Sequence, residues 1–116
     1  MSRPLYEAKA ELFKALGHPV RVRVLELLAQ REHAVSELLA EVGIEATSLS
    51  QQLAVLRHAG LVTSRRAGST VTYSLTNPHV AEFLAAARRI LTDVLAGRTE
   101  LLADLMASPA LPSPSA

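Results

Sequence analysis

The sequence predicts a mainly α-helical fold that carries a single β-hairpin. Apolar residues make up 49% of the 116 residues and aromatic residues only 3%, so Leu, Val and Ala must fill the core, which is typical of helical proteins. Apolar residues recur at helical spacing along most of the chain, and strand-like alternation follows only Gly60. At this length we expect one domain, residues 1–107, and a disordered Pro- and Ser-rich tail, residues 108–116.

Two helices are predicted before residue 31. The first covers about residues 4–16 and ends at Gly17. The second begins at Pro19, because the first position of a helix tolerates a missing N–H, and it extends to about residue 30. Its buried stripe is predicted to consist of Val20, Val24, Leu27 and Leu28.

A helix-turn-helix is predicted over residues 36–58. A short helix over residues 36–42 is closed by Gly43, and a second helix over residues 46–58 is stopped by Gly60. Two short helices joined by a Gly-containing turn are the outline of this motif. On the second helix a narrow arc of leucines should face the core, namely Leu49, Leu53 and Leu56.

A β-hairpin is predicted over residues 61–75, with its reversal at Gly68 and Ser69. Asn77 and Pro78 then provide a helix cap and a favoured first helical position. The last helix carries a wide apolar face and should continue past Gly97. Helix-turn-helix and hairpin together predict a winged helix-turn-helix.

One continuous part of the chain is free of acidic side chains. Residues 46–81 contain no Asp or Glu, so this window can face a polyanion without repulsion. Its helix offers Gln, which can pair with adenine, and short hydroxyl side chains, while its hairpin offers arginines suited to phosphates. The predicted partner is therefore double-stranded DNA. The predicted DNA-binding residues are Thr47, Ser48, Ser50, Gln51, His58, Arg65, Arg66, Ser69 and Thr70.

Simpler explanations exist for each feature alone. An amphipathic helix exposes polar residues to water, and arginines on a hairpin edge discourage aggregation. A winged helix that binds only other proteins is the alternative.

An enzyme is disfavoured, because the sequence has no cysteine, no phosphate-binding Gly-rich loop and no metal-binding repeat. We predict no cofactor and, without a secretory or membrane segment, a cytoplasmic protein.

The first and last helices carry more apolar side chains than a chain this short can readily bury. We therefore expect a homodimer formed through these two helices, which would present two recognition helices to a palindromic operator. The predicted interface consists of Leu5, Leu12, Phe83, Ile90, Leu91 and Val94, and the apolar face continues with Leu101, Leu102 and Leu105.

Three segments resemble the ArsR/SmtB family of bacterial repressors over about residues 12–75. They are FKALGHPVRVRVLELL, VSELLAEVGIEATSLSQQLAVLRHAGLV and RRAGSTVTYSL, in this order. The resemblance implies a winged helix-turn-helix that dimerises through its first and last helices. It also implies repression by operator binding and release when a metal or another effector binds.

The metal sites that the resemblance implies are incomplete in this sequence. The Cys-Val-Cys site of the family would fall on residues 34–36, which are Ala, Val and Ser, and the chain has no cysteine for thiolate or persulfide sensing. A second family site would use Asn77, His79, Ile90 and Asp93. Two usable ligands among four make a poor zinc site, so we predict no metal site.

Three histidines have other expected roles. His79 and Glu82 stand one helical turn apart and could form a partial metal-binding pair, although a capping or exposed role is favoured for His79. His18 and His33 are isolated in sequence, so they are expected to be structural or surface residues.

Overall fold

The computed structural model describes residues 3–107. Its helices are α1 (Leu5–Leu16), α2 (Pro19–Gln30), α3 (Val35–Val42), α4 (Ala46–His58) and α5 (His79–Ala107). Its strands are β1 (His33–Ala34), β2 (Val62–Ala67) and β3 (Thr70–Leu75). This confirms the predicted fold class. The predicted tail lies outside the described residues, and the single domain over residues 1–107 stays a prediction. The described residues divide into two compact units, residues 3–82 and 83–107, which we describe separately.

The helix ends follow local capping interactions. Pro19 opens α2 as predicted, and His18 Nδ1 accepts a hydrogen bond from the backbone N–H of Val20 at 3.2 Å. The predicted start of α3 was one residue late, because the Glu37 carboxylate accepts the backbone N–H of Ala34 at 2.9 Å and stabilises a start at Val35. These interactions fix where α2 and α3 begin.

A third strand, β1, was not predicted. It pairs antiparallel with β3, with His33 opposite Tyr73 and Ala34 opposite Thr72, and gives the sheet order β1-β3-β2. Two residues are too few to show an alternating pattern, so this strand depends on its partner rather than on local sequence. His33 is buried, and its Nδ1 donates to the carbonyl of Arg31 at 2.9 Å. His33 is therefore structural, as expected.

The hairpin is formed by β2 and β3, which pair from Val62–Leu75 to Ala67–Thr70. The two-residue turn between them is the predicted one, and its Gly68 has a φ of +63°, a conformation that costs glycine least. At the base of the hairpin, Thr76 Oγ1 donates to the carbonyl of Gly60 at 2.6 Å. The hairpin is thus fixed at its base to the residues that follow α4.

The core of residues 3–82 is built around α2, which contacts α1, α3, α4 and β3. Because these contacts approach α2 from several sides, Leu25 is fully buried although the predicted stripe omitted it. Val20 is only half-buried. The largest fully buried side chains among the described residues are Val24, Leu25, Leu38, Leu49, Leu53, Leu56 and Val62.

The long helix α5 has 29 residues and, as predicted, continues past Gly97. None of its side chains is buried, whereas α2 and α4 each bury several. The nine apolar residues predicted to need a partner, in α1 and α5, are all between 38% and 69% exposed. Within residues 3–107, none of the helices combines the length and the apolar character that spanning a lipid bilayer requires.

Candidate nucleic-acid interface

Helix α4 presents a polar face on the side away from the core. The three predicted leucines are buried, so the opposite side of the helix is fixed toward solvent. Thr47, Ser50 and Gln51 are exposed there, and Ser48 is half-exposed. No acidic residue occurs within α4, although Glu45 directly precedes it. The first turns of α4 thus offer hydrogen-bonding groups without a carboxylate among them, which suits the edges of bases.

The two hairpin arginines lie on opposite faces of the sheet. Successive side chains of a strand alternate between faces, and both Arg65 and Arg66 lie within β2. Arg65 stands opposite Thr72, and Arg66 stands opposite Val71. The two neighbours in sequence therefore have different surroundings, which the sequence prediction did not separate.

Arg65 is held by a carboxylate. Its two terminal nitrogens donate to the two carboxylate oxygens of Glu32 at 2.7 and 2.8 Å. The same hydrogen bonds hold the pKa of Glu32 below its ordinary value and raise that of Arg65. Arg65 was predicted to contact DNA, but in the structure its charge is matched by a residue from outside the acid-free window.

Arg66 lies on the other face, beside α4. It lines a cavity of about 360 Å³ together with Ser50 and Arg57 of α4 and Ser64 of β2. Within residues 3–107, the guanidinium groups of Arg57 and Arg66 have no hydrogen-bond or ion-pair partner. Arg57 was not among the predicted DNA-binding residues. Its position one turn after buried Leu53 was visible in the sequence, but which flank of α4 faces the hairpin was not.

His58 lies at a different place from the other predicted residues. It lines a groove of about 860 Å³ between α1 and α4, with Leu12 and Ala15 on the α1 side and Val55 on the α4 side. The cavity beside Arg66 does not include it. The tip residues Ser69 and Thr70 are exposed at the end of the hairpin. The structure thus groups Ser50 with Arg66 and separates His58 from them.

The start of α5 carries the predicted pair of possible metal ligands. His79 Nδ1 lies 2.9 Å from a carboxylate oxygen of Glu82, and both side chains are exposed. Asn77 caps the helix by accepting the backbone N–H of His79 at 2.8 Å. Residues 3–107 contain no group of three or more His, Cys, Asp or Glu side chains able to hold a metal ion.

Comparisons with known proteins agree with this geometry. Residues 18–64 match the family described as "Bacterial regulatory protein, arsR family". The HTH-type transcriptional regulator Rv0081 of Mycobacterium tuberculosis is 53% identical over 107 residues, which are 91% of this chain and 94% of the relative. Its crystal structure matches with a TM-score of 0.78 over 84% of this chain and 99% of that one.

Two further matches are more distant. A biofilm growth-associated repressor of Xylella fastidiosa is 42% identical over 66% of this chain and 68% of its own length. The homodimeric winged helix-turn-helix DNA-binding domain Mb0332 of Mycobacterium bovis matches with a TM-score of 0.71 and 33% identity, over 78% of this chain and 84% of that one. The chain therefore belongs to the arsR family of bacterial regulatory proteins and is a DNA-binding transcriptional regulator with a winged helix-turn-helix fold.

Proposed function

We propose that this chain is a repressor that binds a palindromic operator in duplex DNA as a homodimer, in the cytoplasm. The observation that carries the proposal is that Ser50, on the polar face of α4, lines one cavity with Arg66 of the hairpin, whose guanidinium has no partner within residues 3–107. A recognition helix in the major groove with a basic hairpin beside it would contact bases and backbone at once.

The recognition residues have distinct proposed roles. Gln51 would contact a base edge, since its amide can donate to and accept from adenine. Thr47, Ser48 and Ser50 would contact bases or phosphates at short range, because their hydroxyl groups stand close to the backbone of α4. Ser69 and Thr70 would bring the hairpin tip close to the DNA backbone.

A second copy of the chain is the proposed occupant of the exposed apolar faces of α1 and α5. Exposed apolar patches of this kind mark interaction sites. The name of the matching Mycobacterium bovis domain describes it as homodimeric. The proposed interface residues are Leu5, Leu12, Phe83, Ile90, Leu91 and Val94, all exposed in the single chain.

The operator can be found by selection from a pool of random-sequence duplexes. We expect the protein to enrich an inverted repeat whose half-sites lie about 10 base pairs, or a multiple, apart. The affinity for that duplex, followed by fluorescence anisotropy, should fall steeply as salt rises. Enrichment of no sequence together with binding that is insensitive to salt would contradict the proposal and favour a protein-binding winged helix.

A further inference from the structure

The two adjacent hairpin arginines have different surroundings, and this difference carries a functional consequence. Strand alternation sets Glu32, Ala34, Thr72 and Arg65 on one face of the sheet, according to the register of the three strands. Arg66 belongs to the other face, with Ser64 and Tyr73. Sequence neighbours of identical chemistry therefore face different partners.

Arg65 connects the two edges of the sheet. Glu32 directly precedes the edge strand β1, Arg65 lies in the other edge strand β2, and β3 runs between them. Their paired contacts at 2.7 and 2.8 Å use both terminal nitrogens of the guanidinium. Exposed ion pairs are usually weak, but this two-bond geometry is the arrangement that contributes most. Arg65 is thus placed to fix the orientation of β2.

Arg66 and Arg57 offer the opposite case, since neither cation is paired with a carboxylate within the part of the chain that the structure describes. The cavity that they share is lined by three hydroxyl-bearing residues, Ser50, Ser64 and Tyr73, and by no acidic side chain. Every charged group lining this cavity is a hydrogen-bond donor with a fixed positive charge. A ligand that accepts hydrogen bonds on several oxygens and carries negative charge fits this set.

We propose that Arg57 and Arg66 together clamp one backbone phosphate of the bound DNA, and that Arg65 with Glu32 positions the hairpin without contacting phosphate. The proposal rests on the proposed function, because the clamp lies between the recognition helix and the hairpin. A backbone phosphate is the anion that a duplex seated on α4 would bring to this point. Arg57 thereby becomes a DNA-binding residue that the sequence did not single out.

The test compares Arg66→Gln with Arg65→Gln, which remove the same charge from neighbouring positions. Binding to one fixed duplex is measured across a range of salt concentrations. Arg66→Gln should weaken binding about tenfold at low salt, as expected for a lost charge-assisted hydrogen bond. Log affinity falls linearly with log salt concentration. In the Arg57→Gln/Arg66→Gln double variant this negative slope should become shallower by about one per chain, since one phosphate contact is lost.

Arg65→Gln should leave that slope unchanged. Glu32→Gln should weaken binding to the same extent as Arg65→Gln, and the Glu32→Gln/Arg65→Gln double variant should be no worse than either, because both lose one positioning contact. A rise in affinity for Glu32→Gln would show that Glu32 competes with phosphate for Arg65 and would overturn the proposal.

Folding of each variant is checked by its thermal midpoint, and Arg66→Lys keeps the test independent of folding defects. This variant retains the charge, so it should retain the slope. If the wild type binds DNA, two results would overturn the clamp. One is an equal reduction of the salt dependence in Arg65→Gln and Arg66→Gln, and the other is an unchanged salt dependence in all variants. Absence of salt-dependent DNA binding by the wild type would instead contradict the proposed function.

Discussion

Helices α4 and α5 both carry an apolar stripe, but they differ in where that stripe lies. Three leucines of α4 are buried among other elements of the same chain, whereas α5 buries no side chain over its 29 residues. Amphipathic spacing is similar in both, so spacing alone does not tell which helix completes a core and which awaits a partner. The difference predicts that changes on α4 and α5 act on separate properties, folding and DNA contact for α4, dimer formation for α5.

The largest effect is expected from placing charge on the apolar face of α5. The double substitution Ile90→Asp and Val94→Asp should yield monomers and weaken operator binding by roughly 100- to 10,000-fold, because the two half-sites are then no longer bound by one linked pair. Anisotropy with the selected operator measures the affinity. The matched control is Thr92→Asp with Ala96→Asp, which has the same spacing on the opposite side of the helix. Equal losses for both pairs would contradict an interface on the apolar face.

The same Leu→Ala change should act differently on the two helices. Leu53→Ala on α4 leaves a cavity in the core and should lower the free energy of unfolding by about 2–5 kcal/mol. Leu91→Ala on α5 should mainly raise the dimer dissociation constant, because Leu91 is exposed in the single chain. Thermal unfolding at several protein concentrations separates the two. At protein concentrations below the dimer dissociation constant, a larger drop of the thermal midpoint in Leu91→Ala than in Leu53→Ala would contradict this assignment.

A smaller and more selective effect is expected on the polar face of α4. Gln51→Ala should relax the preference for particular base pairs by about 1–3 kcal/mol at the affected position. Gln52→Ala is the control, since Gln52 is half-buried and accepts a hydrogen bond from Arg21 at 2.7 Å. Competition between operator variants and random duplex measures the preference. Equal losses of specific and random binding in Gln51→Ala would remove Gln51 from base recognition.

The smallest effect concerns the start of α3 and depends on pH. Hydrogen bonds from Arg31 and from the backbone of Ala34 lower the pKa of Glu37 to about 2, from an ordinary value of 4.5. A carboxylate with a lowered pKa stabilises the folded state above its unfolded pKa and loses this contribution as pH falls from about 4.5 toward 2.

The matching measurement is the thermal midpoint of wild type and Glu37→Gln from neutral to acidic pH. The wild type should be the more stable at neutral pH, and the two midpoints should converge as Glu37 becomes protonated. A difference that stays constant down to pH 2 would show that charge on Glu37 contributes nothing at this helix start.

Much of the fold followed from local sequence signals. Pro19, Gly43 and the Gly68-Ser69 turn act within a few residues, so the element ends they set were predicted closely. Strand β1 was missed because it exists only through pairing with β3, and the paired residues His33 and Tyr73 are far apart in the sequence. Long-range pairing leaves no local pattern.

The candidate site shows the same division. The polar residues of α4 could be assigned from one helix, because the leucine arc fixes the opposite side. The pairing of Arg65 with Glu32 and the meeting of Arg57 with Arg66 join segments distant in sequence. A count of charges along the acid-free window could not show that, among the described residues, Arg65 is paired with a carboxylate and Arg66 is not.

The most direct test of the contrast between α4 and α5 is the mass of the unmodified protein in solution. Light scattering at micromolar concentration should give two chains, twice the 12.4 kDa of one, because a second copy is expected to cover the exposed apolar residues of α1 and α5. A mass of one chain would contradict the homodimer and, with it, the simultaneous binding of two operator half-sites.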